Sequence, residues 1–253
     1  MTLYFWPCGL VLSAPTLVLD RPTSPLCATL RIACGKPYSL ELDSGTLTTR
    51  ASLLAPRTGR RKLTAIDSDL LLFYLPIDDP EYAGVKTLLG TQPVVDLPIT
   101  LFEHLLPRMR GTLTAVAEPQ EIRALVREVV QALGTGGSRS VTDPRVTRAC
   151  EVLGDMPLSE VSLDAVAARV NLSSSRLRAL FKQQTGFTIS EYARWRAVWR
   201  AALLWKRGVK LTGLAAEAGF YDLAHIDKAF SEVFGMNPSA IIDPRFVTLV
   251  NCE

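Results

Sequence analysis

The strongest constraint on this chain is a repeat. "LDAVAARVNLSSSRLRALFKQQTGFTIS" begins at Leu163 and "LTGLAAEAGFYDLAHIDKAFSEVFGMNPS" at Leu211, and they align at an offset of 48 residues up to a turn and 49 beyond it. Leu163, Ala167 and Ala168 match Leu211, Ala215 and Ala216; past the turn Ser173, Phe181, Gly186 and Ser190 match Asp222, Phe230, Gly235 and Ser239. One unit is present twice, with one residue gained in the second turn. Self-similarity on this scale is the mark of a supersecondary unit used more than once.

Each unit reads as a helix, a short turn and a second helix. Ser173 and Asp222 stand where an N-cap side chain accepts from the free amides of the first turn. The alanines let the second helix cross the first closely, which is what a helix-turn-helix requires of its supporting helix. Between the units, "SEYARWRAVWRAALLWKRG" reads as one long helix whose Tyr192, Trp195, Trp199, Ala202 and Leu203 can pack on both. A rigid helix there fixes the two protruding helices relative to one another. If they lie about one DNA turn apart, roughly 10–10.5 bp, each enters a successive major groove.

Charge sharpens this reading. The net charge of +3 identifies no partner, but Arg169 to Lys210 carries ten Lys/Arg against one acid, Glu191, while Leu211 to Gly235 carries one base, Lys228, against four acids. That is a basic field beside an acidic segment. One unit alone reads equally well as a helical hairpin filling a core; two copies, their caps, the connecting helix and the basic run point to DNA.

At these residues the chain resembles the C-terminal domain of the AraC/XylS family of bacterial transcription regulators. "AGFYDLAHIDKAFSEVFGMNPS" is similar to the signature around that family's second recognition helix, and "SLDAVAARVNLSSSRLRALFKQQTGFTISEY" to its first unit; together the likeness runs from about Asp143 to Arg245. The resemblance implies a DNA-binding regulator that works with RNA polymerase. It also implies a cupin-like β-barrel in the first half that senses a small molecule and often dimerises. By the same resemblance the groove-facing positions are Ser174, Ser175, Arg178 and Ala179 in the first unit and Leu223, Ala224, Asp227 and Lys228 in the second. The chain departs from the family pattern where Arg178 stands one position early and Ala179 fills the expected place. A similar shift sets Arg196 before Ala197; Lys228 stands where Arg is usual, and Ile241-Ile242 where a Tyr-Arg pair is usual.

Chemistry ranks these residues. Arg178 is the candidate base reader, because its guanidinium can bond guanine O6 and N7 together. Arg176 and Lys182 suit phosphates, which supply affinity without sequence information. The alternative for each arginine is a solvated helix face. Asp227 either accepts from cytosine N4 or, among its acidic neighbours, repels phosphate. The first unit is therefore expected to carry most of the specificity. His225 reads as a packing position beside the turn.

The fold class expected is α+β. Up to about residue 97 the texture is β-like: "TLVLD", "CATLRIAC", "YSLELDSGTLTTRASLLAP" and "LLLFYLP" are short runs broken by Pro and Gly turns. "MTLYFWPCGLVLSAP" lacks a basic n-region and is interrupted by Pro7, so it reads as a first core strand and not a signal peptide. No apolar run reaches the roughly 18–20 residues of a membrane helix. "PQEIRALVREVVQAL" places Ile122, Leu125, Val126, Val129, Val130 and Leu133 on one helical stripe. Residues 1–133 are thus expected to form a cupin-like sensing and dimerisation domain, 134–142 ("GTGGSRS" at its centre) a linker, and 143–246 the double helix-turn-helix. The wide apolar face of the helix at 120–133 packs either on its own barrel or on a second subunit. The dimer is preferred, since two subunits give two half-sites.

Polar residues within strands are the ligand candidates: Arg31, Tyr38, Glu41 and Arg50, with Trp6 as a stacking surface. In "PRTGRRK", Arg57 and Arg61 are spaced to grip a phosphorylated ligand, although a solvated hairpin tip is the preferred reading. The two histidines, His104 and His225, fall in different domains, so no metal site, cofactor or catalytic constellation is expected. Five cysteines without C-x-x-C spacing suggest reduced thiols and a cytoplasmic protein. Cys27 and Cys34 read as buried thiols sooner than redox centres. The expected partners are double-stranded DNA, a small-molecule effector, RNA polymerase and a second copy of the chain, with no membrane. The rival reading keeps DNA binding but gives the first domain only a dimerisation or protein-binding role.

Overall fold

The structure, a computed structural model, describes residues 1–6, 9–78, 82–134, 143–206, 211–236, 238 and 245–252. It divides into two compact units, Met1–Arg139 with Ser231–Glu253, and Ser140–Phe230.

The first unit holds nine strands in succession: β1 (Thr2–Trp6), β2 (Gly9–Ala14), β3 (Leu17–Leu19), β4 (Ala28–Ala33), β5 (Tyr38–Leu42), β6 (Gly45–Thr49), β7 (Ala51–Leu54), β8 (Arg60–Ala65) and β9 (Leu70–Leu75). Helix α1 (Tyr82–Leu89), β10 (Val94–Asp96), a 3-10 turn (Ile99–Leu105), α2 (Leu106–Thr114) and α3 (Pro119–Ala132) follow, and β11 (Thr248–Asn251) comes from the far end of the chain. One sheet runs β10-β7-β4-β9-β2-β1-β11 and the other β3-β8-β5-β6.

Burial shows how the layers stack. β2, β4 and β9 are buried at every residue, as expected of strands covered on both faces. β5 buries alternate residues and leaves the others partly open, the period-two signature of a sheet with one wet face. On one side of the large sheet Tyr4, Leu30, Ile32, Leu53, Leu71 and Phe73 join Phe102, Met109, Ile122, Leu125 and Val129 from the helices in a single core. Each such side chain adds about 1.5–3 kcal/mol on burial. The opposite side, carrying Arg31 opposite Ser52 and Leu72, faces the small sheet, where Tyr38 bonds across to Ser52 at 2.7 Å.

One expectation changes here. The apolar stripe of α3 (Ile122, Leu125, Val126, Val129, Val130) is buried against its own unit's sheet, so the preferred dimer contact through that face does not hold. The sheet's outer face needed a cover, and α3 supplies it. β11 pairs in parallel with β1, Thr2 opposite Thr248 and Phe5 opposite Asn251, and it covers an otherwise open sheet edge. Within the same unit the Ser24 amide donates to the Glu232 carbonyl at 3.0 Å and the Tyr74 hydroxyl to the Val233 carbonyl at 3.2 Å.

The second unit is helical: α4 (Pro144–Asp155), α5 (Leu163–Arg169), α6 (Ser174–Thr185), α7 (Ile189–Lys206), α8 (Leu211–Ala218) and α9 (Leu223–Phe234), the last turn of α9 being grouped with the first unit. Residues 135–142 of the expected linker, and Ile241-Ile242, lie outside the described residues. Tyr192, Trp195 and Trp199 of α7 are buried. Phe181 meets Tyr192 edge-on at 5.5 Å, and Trp195 meets Trp199 likewise at 5.4 Å. Arg200 donates to the carbonyls of Gly154 and Met156, closing off the C-terminal end of α4. Arg196 lies so close to Gly154 that a side chain there would collide with it. Two arginines of the basic run therefore serve the helical core.

Candidate nucleic-acid interface

Both turns of the repeat are built alike. Asn171 and Gly219 occupy equivalent positions and both take left-handed backbone, φ 55° and 80°. The Leu172 amide bonds the Ala167 carbonyl at 3.0 Å, and the Phe220 amide bonds the Ala215 carbonyl at 2.8 Å. This is the six-to-one bond that ends a helix over a left-handed residue. Gly219 is needed twice over, because a Cβ there would also stand 2.4 Å from the Leu158 amide nitrogen. The residue gained in the second turn is Tyr221, 93% exposed.

Caps then start the outer helices. Ser173 Oγ accepts from the Arg176 amide at 3.3 Å and Asp222 Oδ1 from the His225 amide at 2.8 Å. Ser162 caps α5 through the Ala165 amide at 3.1 Å. Helix α6 buries Leu177, Leu180 and Phe181, which turns Ser175, Arg176, Arg178, Ala179 and Lys182 outward. Ser174 is half-buried and bonds Asp164 of α5, tying the start of α6 to its support. Lys182 reaches the Gly186 carbonyl at 2.8 Å, beside the left-handed glycine that ends the helix. Sequence reasoning missed Gln183. It is exposed and lies seven residues after Arg176, the helical spacing that would have placed it, with an amide suited to adenine.

Helix α9 buries Ile226, Ala229 and Phe230 and exposes Ala224, Asp227 and Lys228, with Leu223 half-buried. His225 is half-buried too, edge-on to Phe220 at 5.2 Å, so it packs on the turn as expected. The two outer helices thus share a scaffold and differ in charge.

Residues 166–243 match the family described as "Helix-turn-helix domain". The helical unit is a helix-turn-helix domain of the AraC type. The AraC-type domain has curated relatives in the HTH-type transcriptional activator RhaS of Escherichia fergusonii, 34% identical over 109 residues, and RhaR of Escherichia coli strain K12, 30% identical over 114 residues. These alignments take in 43% and 45% of this chain, and span 39% of each relative's length. The fold as a whole is similar to ToxT from Vibrio cholerae O395, with a TM-score of 0.56, 11% identity, and 92% of this chain and 95% of that one covered. ToxT of Vibrio cholerae strain SCE256 with an unsaturated fatty acid bound gives a TM-score of 0.53 at 11% identity, covering 90% of this chain and 95% of that one.

The ligand candidates in the β-rich unit scatter. Arg31 and Tyr38 lie together between the sheets, the Tyr38 hydroxyl 3.4 Å from the Arg31 carbonyl. Trp6 sits on the other side of the large sheet, in the helix-covered core, with the Arg123 guanidinium 4.6 Å from its ring centroid. Arg50 is spent on the carbonyls of Ala33 and Cys34. Glu41 faces Lys62 on the wet side of the small sheet, and Arg61 pairs with Asp43 at 2.8 Å in the open. Arg57, with φ 64°, lines an open cleft of about 410 Å³ together with Asp43, Thr58, Gln92 and Val94.

Cys27, Cys34, Cys150 and Cys252 are buried. Burial pushes the Cys34 thiol up to about 11, well away from thiolate chemistry. Among the described residues no group of three or more His, Cys, Asp or Glu is placed to hold a metal, and no helix is long and apolar enough to cross a membrane.

Proposed function

We propose that the protein is a sequence-specific, DNA-binding transcription regulator of the AraC type whose β-rich unit senses a small-molecule effector. The observation that carries this is the doubled helix-turn-helix, with Ser175, Arg176, Arg178 and Lys182 presented on the exposed side of α6. Arg178 reads a base edge and Arg176 and Lys182 hold phosphates, with Gln183 beside them. α9, through Leu223, Ala224, Asp227 and Lys228, adds contacts at the next groove. RhaS and RhaR are named transcriptional activators, which supports activation, in concert with RNA polymerase, over repression. A ToxT fold solved with a fatty acid bound supports an effector for the β-rich unit over a purely protein-binding role. The chain presents two reading helices, so one copy suffices to engage two successive grooves; any homodimer uses surfaces other than the apolar stripe of α3.

The test is titration of the purified chain against the DNA upstream of its own gene and against random duplex, at two salt concentrations. A strong preference with a steep salt dependence is expected. Equal affinity for both duplexes would remove the claim of sequence recognition.

A further inference from the structure

Four strands stand at the margins of the two sheets: β10 and β11 in the large one, β3 and β6 in the small one. β10 and β3 are three residues long, and three of the four residues of β11 are half-buried. β6 differs. It runs for five residues, Gly-Thr-Leu-Thr-Thr, with no charge, no proline and no register shift against β5. Those are the devices that guard an open edge, because a bare row of amides and carbonyls is a template for another strand. Thr46 and Thr48 are exposed, Leu47 is half-buried, and a Cβ added to Gly45 would meet nothing within 4 Å.

The hairpin decides which groups are bare. Leu42 faces Gly45 across the two-residue turn Asp43-Ser44, so that pair is hydrogen-bonded, and alternation makes Leu40–Leu47 and Tyr38–Thr49 bonded pairs as well. Thr46 and Thr48 fall between them and turn their amides and carbonyls away from β5. Among the described residues no strand lies beyond them. Leu47 stands opposite fully buried Leu40, closing the space between the sheets at this margin with one flank still open.

We propose that β6 pairs with β6 of a second copy, antiparallel across a two-fold axis through Leu47, joining the two small sheets into one. In this register Thr46 of each copy lies opposite Thr48 of the other, and the two exchange both main-chain hydrogen bonds. A one-residue slip sets the threonines against residues whose amides point into the hairpin. A two-residue slip leaves one threonine opposite residue 44 or 50, outside the strand. The two Leu47 side chains meet on the axis and cover each other's open flank, and the Thr–Thr cross-strand pairs are favourable. Past the strand, the Asp43-Ser44 turn of each copy comes beside Arg50 of the other, whose recorded partners are the neutral carbonyls of Ala33 and Cys34. Opposite charges thus meet at both ends. An unrelated extended segment could satisfy the main chain but not this mirrored set of leucine, threonines and end charges, and a contact that is its own complement belongs to a second copy. The surface draws nothing from the helical unit, so the proposal stands apart from the DNA reading.

The experiment is sedimentation of the full chain without DNA, from micromolar concentration to about 1 mM, the range in which weak contacts dissociate. A reversible, concentration-dependent dimer is expected, and a weak one, because so short an edge buries less than the roughly 1,200 Å² of a standard interface. Amide exchange on the same samples reads the register. Thr46 and Thr48 should gain protection as concentration rises, while Leu47, already bonded to Leu40, should not change. Thr48→Pro removes an amide that the hairpin does not use, so it should leave thermal unfolding of the dilute chain unchanged and weaken the dimer about 10- to 100-fold. If Thr48→Pro fails to fold, paired charge variants carry the test. Thr46→Lys with Thr48→Lys, and Thr46→Glu with Thr48→Glu, should each give a monomer, because like charges fall opposite one another; mixed, the two should form a heterodimer. A chain that stays monomeric throughout, protection gained elsewhere and not at Thr46 and Thr48, or a dimer undiminished in Thr48→Pro and in the lysine variant would overturn the proposal. A parent dimer without the mixed heterodimer would overturn the register through Leu47.

Discussion

The α5–α6 and α8–α9 units invite comparison because they descend from one pattern. Phe181 and Phe230 are both buried, Asn171 and Gly219 share a left-handed turn, and Ser173 and Asp222 cap the same position. Outside that scaffold they part. α6 shows solvent Arg176, Arg178 and Lys182, whereas α9 shows Asp227 beside Lys228 and an added Tyr221 in its turn. Buried positions answer to packing, which tolerates little change. Exposed ones answer only to the partner, so two copies can keep a fold and divide the work.

The comparison can be broken at its scaffold or at its surface. Phe181→Ala and Phe230→Ala should each cost about 3–5 kcal/mol in denaturant unfolding of the helical unit; a silent Phe230→Ala would mean that the second copy is not held as the first is. Next in size, Gly219→Ala should destabilise by more than the roughly 1–2 kcal/mol of a left-handed alanine, since its Cβ also meets the Leu158 backbone. Asn171→Ala should pay the conformational part alone, so equal losses in the two variants would deny the close approach.

At the surface, Arg178→Ala should lose about 1–3 kcal/mol of discrimination between operator and random duplex, while Lys228→Ala weakens both duplexes slightly. Matching losses of discrimination would end the asymmetry between units. Ser173→Ala should cost about 1 kcal/mol of stability through its lost cap, measured by thermal melting with DNA absent. Smallest in effect on affinity at low salt, Arg176→Ala and Lys182→Ala should each lower the salt slope of binding by about one without altering sequence preference. A change in preference would reassign either residue to base reading.

What the sequence determined alone was local. The repeat, its caps, the Gly-Phe turn and the three-to-four-residue apolar stripes declare the helices, the turns and the outward side of α6, because each depends on residues a few positions apart. What only the tertiary structure decided was how patterned faces are spent. The stripe of α3 is apolar whether it meets its own sheet or another subunit, and the sheet settled it. Arg196 and Arg200 read as members of a basic field, yet Arg200 bonds the end of α4 and Arg196 fills the space over Gly154. β11 is short and joins a strand from the other end of the chain, so no local pattern marks its partner. Arg60 is the sharpest case. In "PRTGRRK" it looks like its neighbours Arg57 and Arg61, and a period-two reading turns Arg61 inward. A single-residue bulge reversed that choice, because strand alternation is set by pairing across the sheet and not by the chain alone.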